Sequence, residues 1–152
     1  MSSELRVDKI IPVDGVPTGG GGGIIQVVEV GHSTMHAITA TSPQQVFSGS
    51  ITPKFSTSKI LINVSSSSYN GGSGHTTYTI YRDSTNIGGS TYGIADFTGS
   101  HNWTPFSMMF LDSPSTTSSV TYRVYGKTTN NTLYFGGDGD MVNAITLMEV
   151  SA

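Results

Sequence analysis

The segment Ser119-Val120-Thr121-Tyr122-Arg123-Val124-Tyr125-Gly126 decides how this chain folds. Val120, Tyr122 and Val124 alternate with Thr121, Arg123 and Tyr125, the period of a strand with one face in a core. The same two-residue rhythm runs outward in both directions. Upstream, Lys59-Ile60-Leu61-Ile62-Asn63-Val64 puts Ile60, Ile62 and Val64 on one face. His75 to Arg82 likewise separates Tyr78 and Ile80 from Thr77, Thr79 and Tyr81. Ile24 to Val30 and Gln45 to Thr52 are β-prone runs of strand length, the second closed by Pro53. Downstream, Thr132-Leu133-Tyr134-Phe135 is a short strand, and Asn143 to Val150 ends the chain with a longer one.

One further strand, Pro105-Phe106-Ser107-Met108-Met109-Phe110-Leu111, is almost continuously apolar. Such a run is buried on both faces or lies at a subunit contact, so Met108, Met109 and Phe110 are expected between copies of the chain. Turn-forming clusters separate the strands: Asn70-Gly71-Gly72-Ser73-Gly74, Asp83-Ser84-Thr85-Asn86, Ser113-Pro114-Ser115-Thr116-Thr117 and Gly136-Gly137-Asp138-Gly139-Asp140. No helical period persists for about ten residues anywhere. About eight short strands with turns between them predict an all-β fold, an antiparallel β-sandwich of jelly-roll type.

Composition narrows what such a sandwich does. At 152 residues the chain is one domain by length. Charged residues make up only 11%, and Ser with Thr exceed a quarter, so hydroxyls and glycines carry the solubility that charge usually supplies. A net charge of −3 leaves no basic footprint for nucleic acid. With Cys at 0, neither disulfides nor thiolate metal sites reinforce the core, and oligomerisation is the leading substitute. No stretch approaches the ~18 apolar residues of a membrane span, so no membrane insertion is expected. The N-terminus alternates charges without an apolar run, which points to synthesis in a cytoplasm.

Residues 1–23 form an arm and hinge, and residues 24–152 the folded body. In the arm, Leu5 and Val7 alternate with charges, while Pro12 and Pro17 keep the segment out of a sheet centre. Leu5, Val7, Ile10, Ile11 and Val13 are its docking side chains. The run Gly19 to Gly23 is a flexible joint or, in an alternative reading, a place where three chains approach closely.

Catalytic constellations are missing from this pattern, and no cofactor or metal is expected. His32 and His36 have the spacing of a helical metal pair, but on a strand that spacing puts them ~13 Å apart. Asp138-Gly139-Asp140 starts like a calcium loop yet has no Glu at the twelfth position, so tight-turn residues explain it better. Asp83 and Asp112 follow strands and precede Ser, which suits side-chain-to-backbone bonding in turns. No Gly-x-Ser-x-Gly occurs, and carboxylates are few and scattered. Tyr69, Tyr92, His101 and Trp103, by contrast, fall in Gly/Ser/Asn-rich connections, a composition suited to recognition. They are the receptor-binding candidates, Gly88 to Trp103 being the favoured surface; the competing reading has these rings capping the core or packing between subunits.

The head Glu4-Leu5-Arg6-Val7-Asp8-Lys9-Ile10, with Val13-Asp14-Gly15-Val16-Pro17 and the glycine run, resembles the start of small virion-appendage proteins of tailed bacteriophages. The body resembles the same group through Ser56 to Ile62, Tyr81-Arg82-Asp83-Ser84, Ile87-Gly88, Leu111 to Thr117 and Val120-Thr121-Tyr122. The resemblance implies a trimeric β-sandwich similar to tail-fibre tips and C1q/TNF-like knobs. It further implies a non-enzymatic virion protein, assembled in the host cytoplasm and contacting other virion proteins of tail, neck or capsid. Its knob would attach to a host surface glycan or protein; the alternative role is capsid decoration or cement. Residues 68–78 and 89–104 carry none of the resemblance.

Overall fold

The computed structural model describes residues 23–98, 101–137 and 141–151. The arm, with Leu5, Val7, Ile10, Ile11 and Val13, and the Asp138-Gly139-Asp140 string lie outside the described residues. Eleven strands follow in order: β1 (Ile24–His32), β2 (His36–Ile38), β3 (Gln44–Ile51), β4 (Lys59–Asn70), β5 (His75–Arg82), β6 (Thr85–Asn86), β7 (Ala95–Thr98), β8 (Thr104–Asp112), β9 (Val120–Thr128), β10 (Leu133–Phe135) and β11 (Asn143–Val150). The eight strands expected from alternation are all present, and β2, β6 and β7 are added. These three are 3, 2 and 4 residues long, too short to show a period.

Two antiparallel sheets pack face to face as a β-sandwich. The first runs β1-β11-β4-β10-β2, with β8 on the other edge of β4; the second runs β3-β9-β5-β6, with β7 also on β5. Register carries the alternation straight into the core. Ile60, Ile62 and Val64 of β4 lie inward, as do Ile145 and Leu147 of β11, facing Tyr78 and Ile80 of β5 and Val120, Tyr122 and Val124 of β9. Aromatic rings lock the sheets together. Tyr78 of the second sheet stacks on Phe106 of the first at 4.6 Å, and Phe135 meets Tyr78 edge-on at 5.4 Å. Burial pushes the Tyr78 hydroxyl's pKa up, and that hydroxyl pairs with Ser68 Oγ at 2.9 Å.

The apolar β8 is an edge strand, not one buried on both faces. It pairs with β4 alone, Val64 opposite Met108 and Asn63 opposite Met109. Met108 is 2% exposed and Met109 65%. Phe110 packs against the core, so of the three residues expected at a subunit contact only Met109 faces outward. The physical reason is the strand period, which an unbroken apolar run conceals.

Three buried polar hubs pin the sandwich. Asp112 accepts two bonds from Arg82 Nη1 at 3.0 and 3.1 Å and one from the Tyr122 hydroxyl at 2.7 Å, joining β8 to β5 and β9. It is thus an inter-sheet tie and not the turn residue expected, whereas Asp83 Oδ1 does accept a backbone bond, from Thr121 N–H across to β9. Asn143, 0% exposed, donates to His32 O and Gly136 O and accepts from the Ser66 hydroxyl. Glu149, also 0% exposed, accepts from Lys54 N–H, Phe55 N–H and Gln26 Nε2 at 2.8, 3.2 and 2.6 Å, fixing the β3–β4 connection.

Burial alone would raise the Glu149 pKa, but the Lys54 and Gln26 donors outweigh it and hold the carboxyl below its ordinary 4.5. A depressed folded pKa gives stability that is present above 4.5 and lost as pH falls through the lower folded value. Glu149→Ala orphans two backbone N–H groups and should cost about 1–3 kcal/mol at neutral pH. Urea denaturation at a series of pH values should also show the variant losing less stability below about pH 4.5 than the natural protein does.

Candidate functional site

Alternation along β4 turns Ser65, Ser67 and Tyr69 outward, away from the core that holds Ser66, Ser68 and Asn70. Register places Tyr134 of β10 directly opposite Tyr69. Trp103, one residue before β8, leans onto the same spot because β8 begins opposite Ser68. The ring centroids lie 5.6 Å apart for Tyr69 and Trp103 and 6.1 Å for Tyr69 and Tyr134, both pairs tilted. Met35, from the β1–β2 connection, completes an apolar cavity of about 260 Å³ with these three rings.

A second cavity of about 330 Å³ opens on the same indole. Ser65, Ser67, Pro105, Val142 and Asn143 line it with Trp103. The hydroxyl of Ser67 donates to the Met141 sulfur at 3.0 Å, which holds the far wall. Among the described residues neither cavity is lined by a charged side chain, and the site presents aromatic faces, aliphatic and thioether side chains, hydroxyls and one amide.

Of the receptor candidates, the structure brings together Tyr69 and Trp103. His101 lines neither cavity; it is exposed, with positive φ and its N–H donating to Asn70 O at 3.2 Å. Tyr92 is 65% exposed on a different element. Gly88 to Trp103 is not one loop. Its first half folds over β5, with Ile94 N–H bonded to Tyr78 O and the Thr79 hydroxyl to Gly89 O, and then forms β7 in the second sheet. Only its end reaches the first sheet. Tyr134 and Met35 were missed by sequence reading. Tyr134 had a legible signal, since it sits between Leu133 and Phe135 and must face away from both. Met35 had none.

His32 and His36 also depart from expectation. The ladder is interrupted after His32 over Ser33-Thr34-Met35, and His36 opens β2, which continues in the direction of β1 because their partners β11 and β10 both run antiparallel to β4. The two Nε2 atoms lie 2.8 Å apart, not ~13 Å, with ring centroids at 4.8 Å. One imidazole must donate and the other accept across this contact. Among the described residues no group of three or more His, Cys, Asp or Glu could hold a metal.

No protein-family model matches this chain, and no curated protein matches it significantly.

Burial, and secondly His32, lower the His36 pKa from 6.5. The folded state thus disfavours the proton, and stability present above pH 6.5 is lost as pH falls through the lower folded value. Guanidinium midpoints should drop between about pH 7 and pH 5, and His36→Gln should flatten that slope. An unchanged slope in the variant would assign the dependence elsewhere.

Proposed function

We propose that this chain is a structural and adhesive component of a bacteriophage particle, a tail fibre or similar appendage whose body is a trimeric jelly-roll knob. Residues 1–18 dock on the virion, the glycines act as a joint, and the body presents a surface for host attachment. The role is non-enzymatic and is exercised on the virion, after assembly in the host cytoplasm. Strand order supports the jelly-roll topology. Taking the eight longer strands in chain order, excluding β2, β6 and β10, the sheets read first-eighth-third-sixth and second-seventh-fourth-fifth, with the short β7 in fifth place. Two interleaved Greek keys produce that order.

One observation supports self-association of the body. Across the outer face of the first sheet, register aligns Val27, Met148, Leu61 and Leu111 in a single apolar row. Val27 is 56% and Leu111 51% exposed, and Met109 stands one row along from Leu111. A lone protomer leaves this stripe in water. At about 25 cal/mol per Å² of apolar surface, covering it with further copies is worth several kcal/mol, comparable to a domain's whole stability.

Light scattering of the purified protein should give three times the 16.0 kDa protomer mass. Met109→Asp combined with Leu111→Asp should yield a monomer with an unchanged β-sheet circular dichroism spectrum. Met108→Asp should instead unfold the protomer, because that side chain is buried. A monomeric natural protein sinks the trimer. Gold labelling on intact particles tests the role itself: label on the capsid shell would favour decoration, and label on no particle would overturn the virion assignment.

A further inference from the structure

We infer that the twin cavities flanking Trp103 form a binding site for a neutral oligosaccharide, an inference that rests on the adhesive reading above and gives its ligand a chemical class. The site is a shallow, open, largely apolar depression with a few polar groups along it, a shape suited to laying a sugar chain across it. A sugar ring presents C–H faces and a hydroxyl edge. The faces of Tyr69, Trp103 and Tyr134 suit the first. Ser65 and the aromatic N–H and O–H groups suit the second. Among the described residues, no side chain or backbone group pairs with the Trp103 indole N–H or with the hydroxyls of Tyr69, Tyr134 and Ser65. These groups are thus available to a ligand.

Charge decides between kinds of sugar. Among the described residues no Lys or Arg lines either cavity. Lys59 is at the opposite end of β4, Lys54 lies in the β3–β4 connection, and Arg82, Arg123 and Lys127 belong to the second sheet. A sulfated or sialylated glycan would therefore bring a charge with no partner, whereas a neutral one brings none. The position fits trimerisation as well. Tyr69 stands eight residues along β4 from Leu61, about 27 Å from the apolar row, so one face serves both contacts at opposite ends.

Trp103 is the single tryptophan of the chain, so indole fluorescence reports on this site alone. The intact protein is titrated with maltohexaose, cellohexaose, mannohexaose and N-acetylchitohexaose, and with heparin and polysialic acid as charged probes. A saturable change in indole emission with at least one neutral sugar, and none with the charged pair, is expected. Calorimetry should show Trp103→Ala and Tyr134→Ala binding at least tenfold more weakly, with trimer mass and circular dichroism retained, while Tyr134→Phe stays within a fewfold. A flat response to every neutral sugar, a response to the charged probes alone, or undiminished binding in both alanine variants overturns the inference. Adhesion to bacterial cells separates the two readings. Undiminished adhesion by Trp103→Ala sinks the sugar site and leaves attachment standing; sugar binding without any adhesion does the reverse.

Discussion

Everything in this molecule depends on hiding one face of each long strand against the opposite sheet. The chain has few charges and no disulfides, so the inward rows of β4, β5, β9 and β11 are its main source of cohesion. The Tyr78–Phe106–Phe135 contacts matter most among these, because they cross between sheets and bury large rings. Glycine marks where the sheets leave least room. At Gly126 a Cβ would come within 2.6 Å of Ile38 and 2.9 Å of the Tyr78 ring, so even a methyl there forces these core side chains to shift.

Burying rows of apolar residues does not by itself fix how the sandwich ends. That is done by Asp112, Asn143 and Glu149, each buried and each bonded to groups from distant parts of the chain. An unpaired polar group in these positions would cost more than an apolar one, so each hub selects the single arrangement that satisfies it. Arg82 and Tyr122 around Asp112 illustrate the point. Burial, and then the bond to the carboxylate, raise the Tyr122 pKa, keeping its hydroxyl a donor.

The candidate site follows from the same geometry. Its rings come from β4, β10 and the start of β8, with Met35 added from the β1–β2 connection, and the antiparallel ladders bring them to one end of one face. The other end of that face carries the apolar row. One sheet surface is thus divided into an apolar end and an aromatic, hydroxyl-rich end.

Strand existence was legible because a two-residue period survives in sequence wherever one face is buried, as at Val120-Tyr122-Val124 and Ile60-Ile62-Val64. Tyr69 lies on β4 and not in a connection as expected, so only the local composition around it and Trp103 was legible. Their partnership was not, since Tyr134 lies 65 positions from Tyr69 and only sheet register makes them neighbours. The opposite fates of Met108 and Met109 were hidden because both residues are apolar, and the side a strand turns to its partner is set by pairing with β4. The His32–His36 contact was hidden for a related reason: a break in the ladder between two collinear strands, not the regular strand rise, sets their distance. The sequence alone thus determined that strands form and which faces could be buried. Tertiary pairing decided which edges meet, which rings gather and which apolar side chains stay in water, because register joins residues that no local pattern connects.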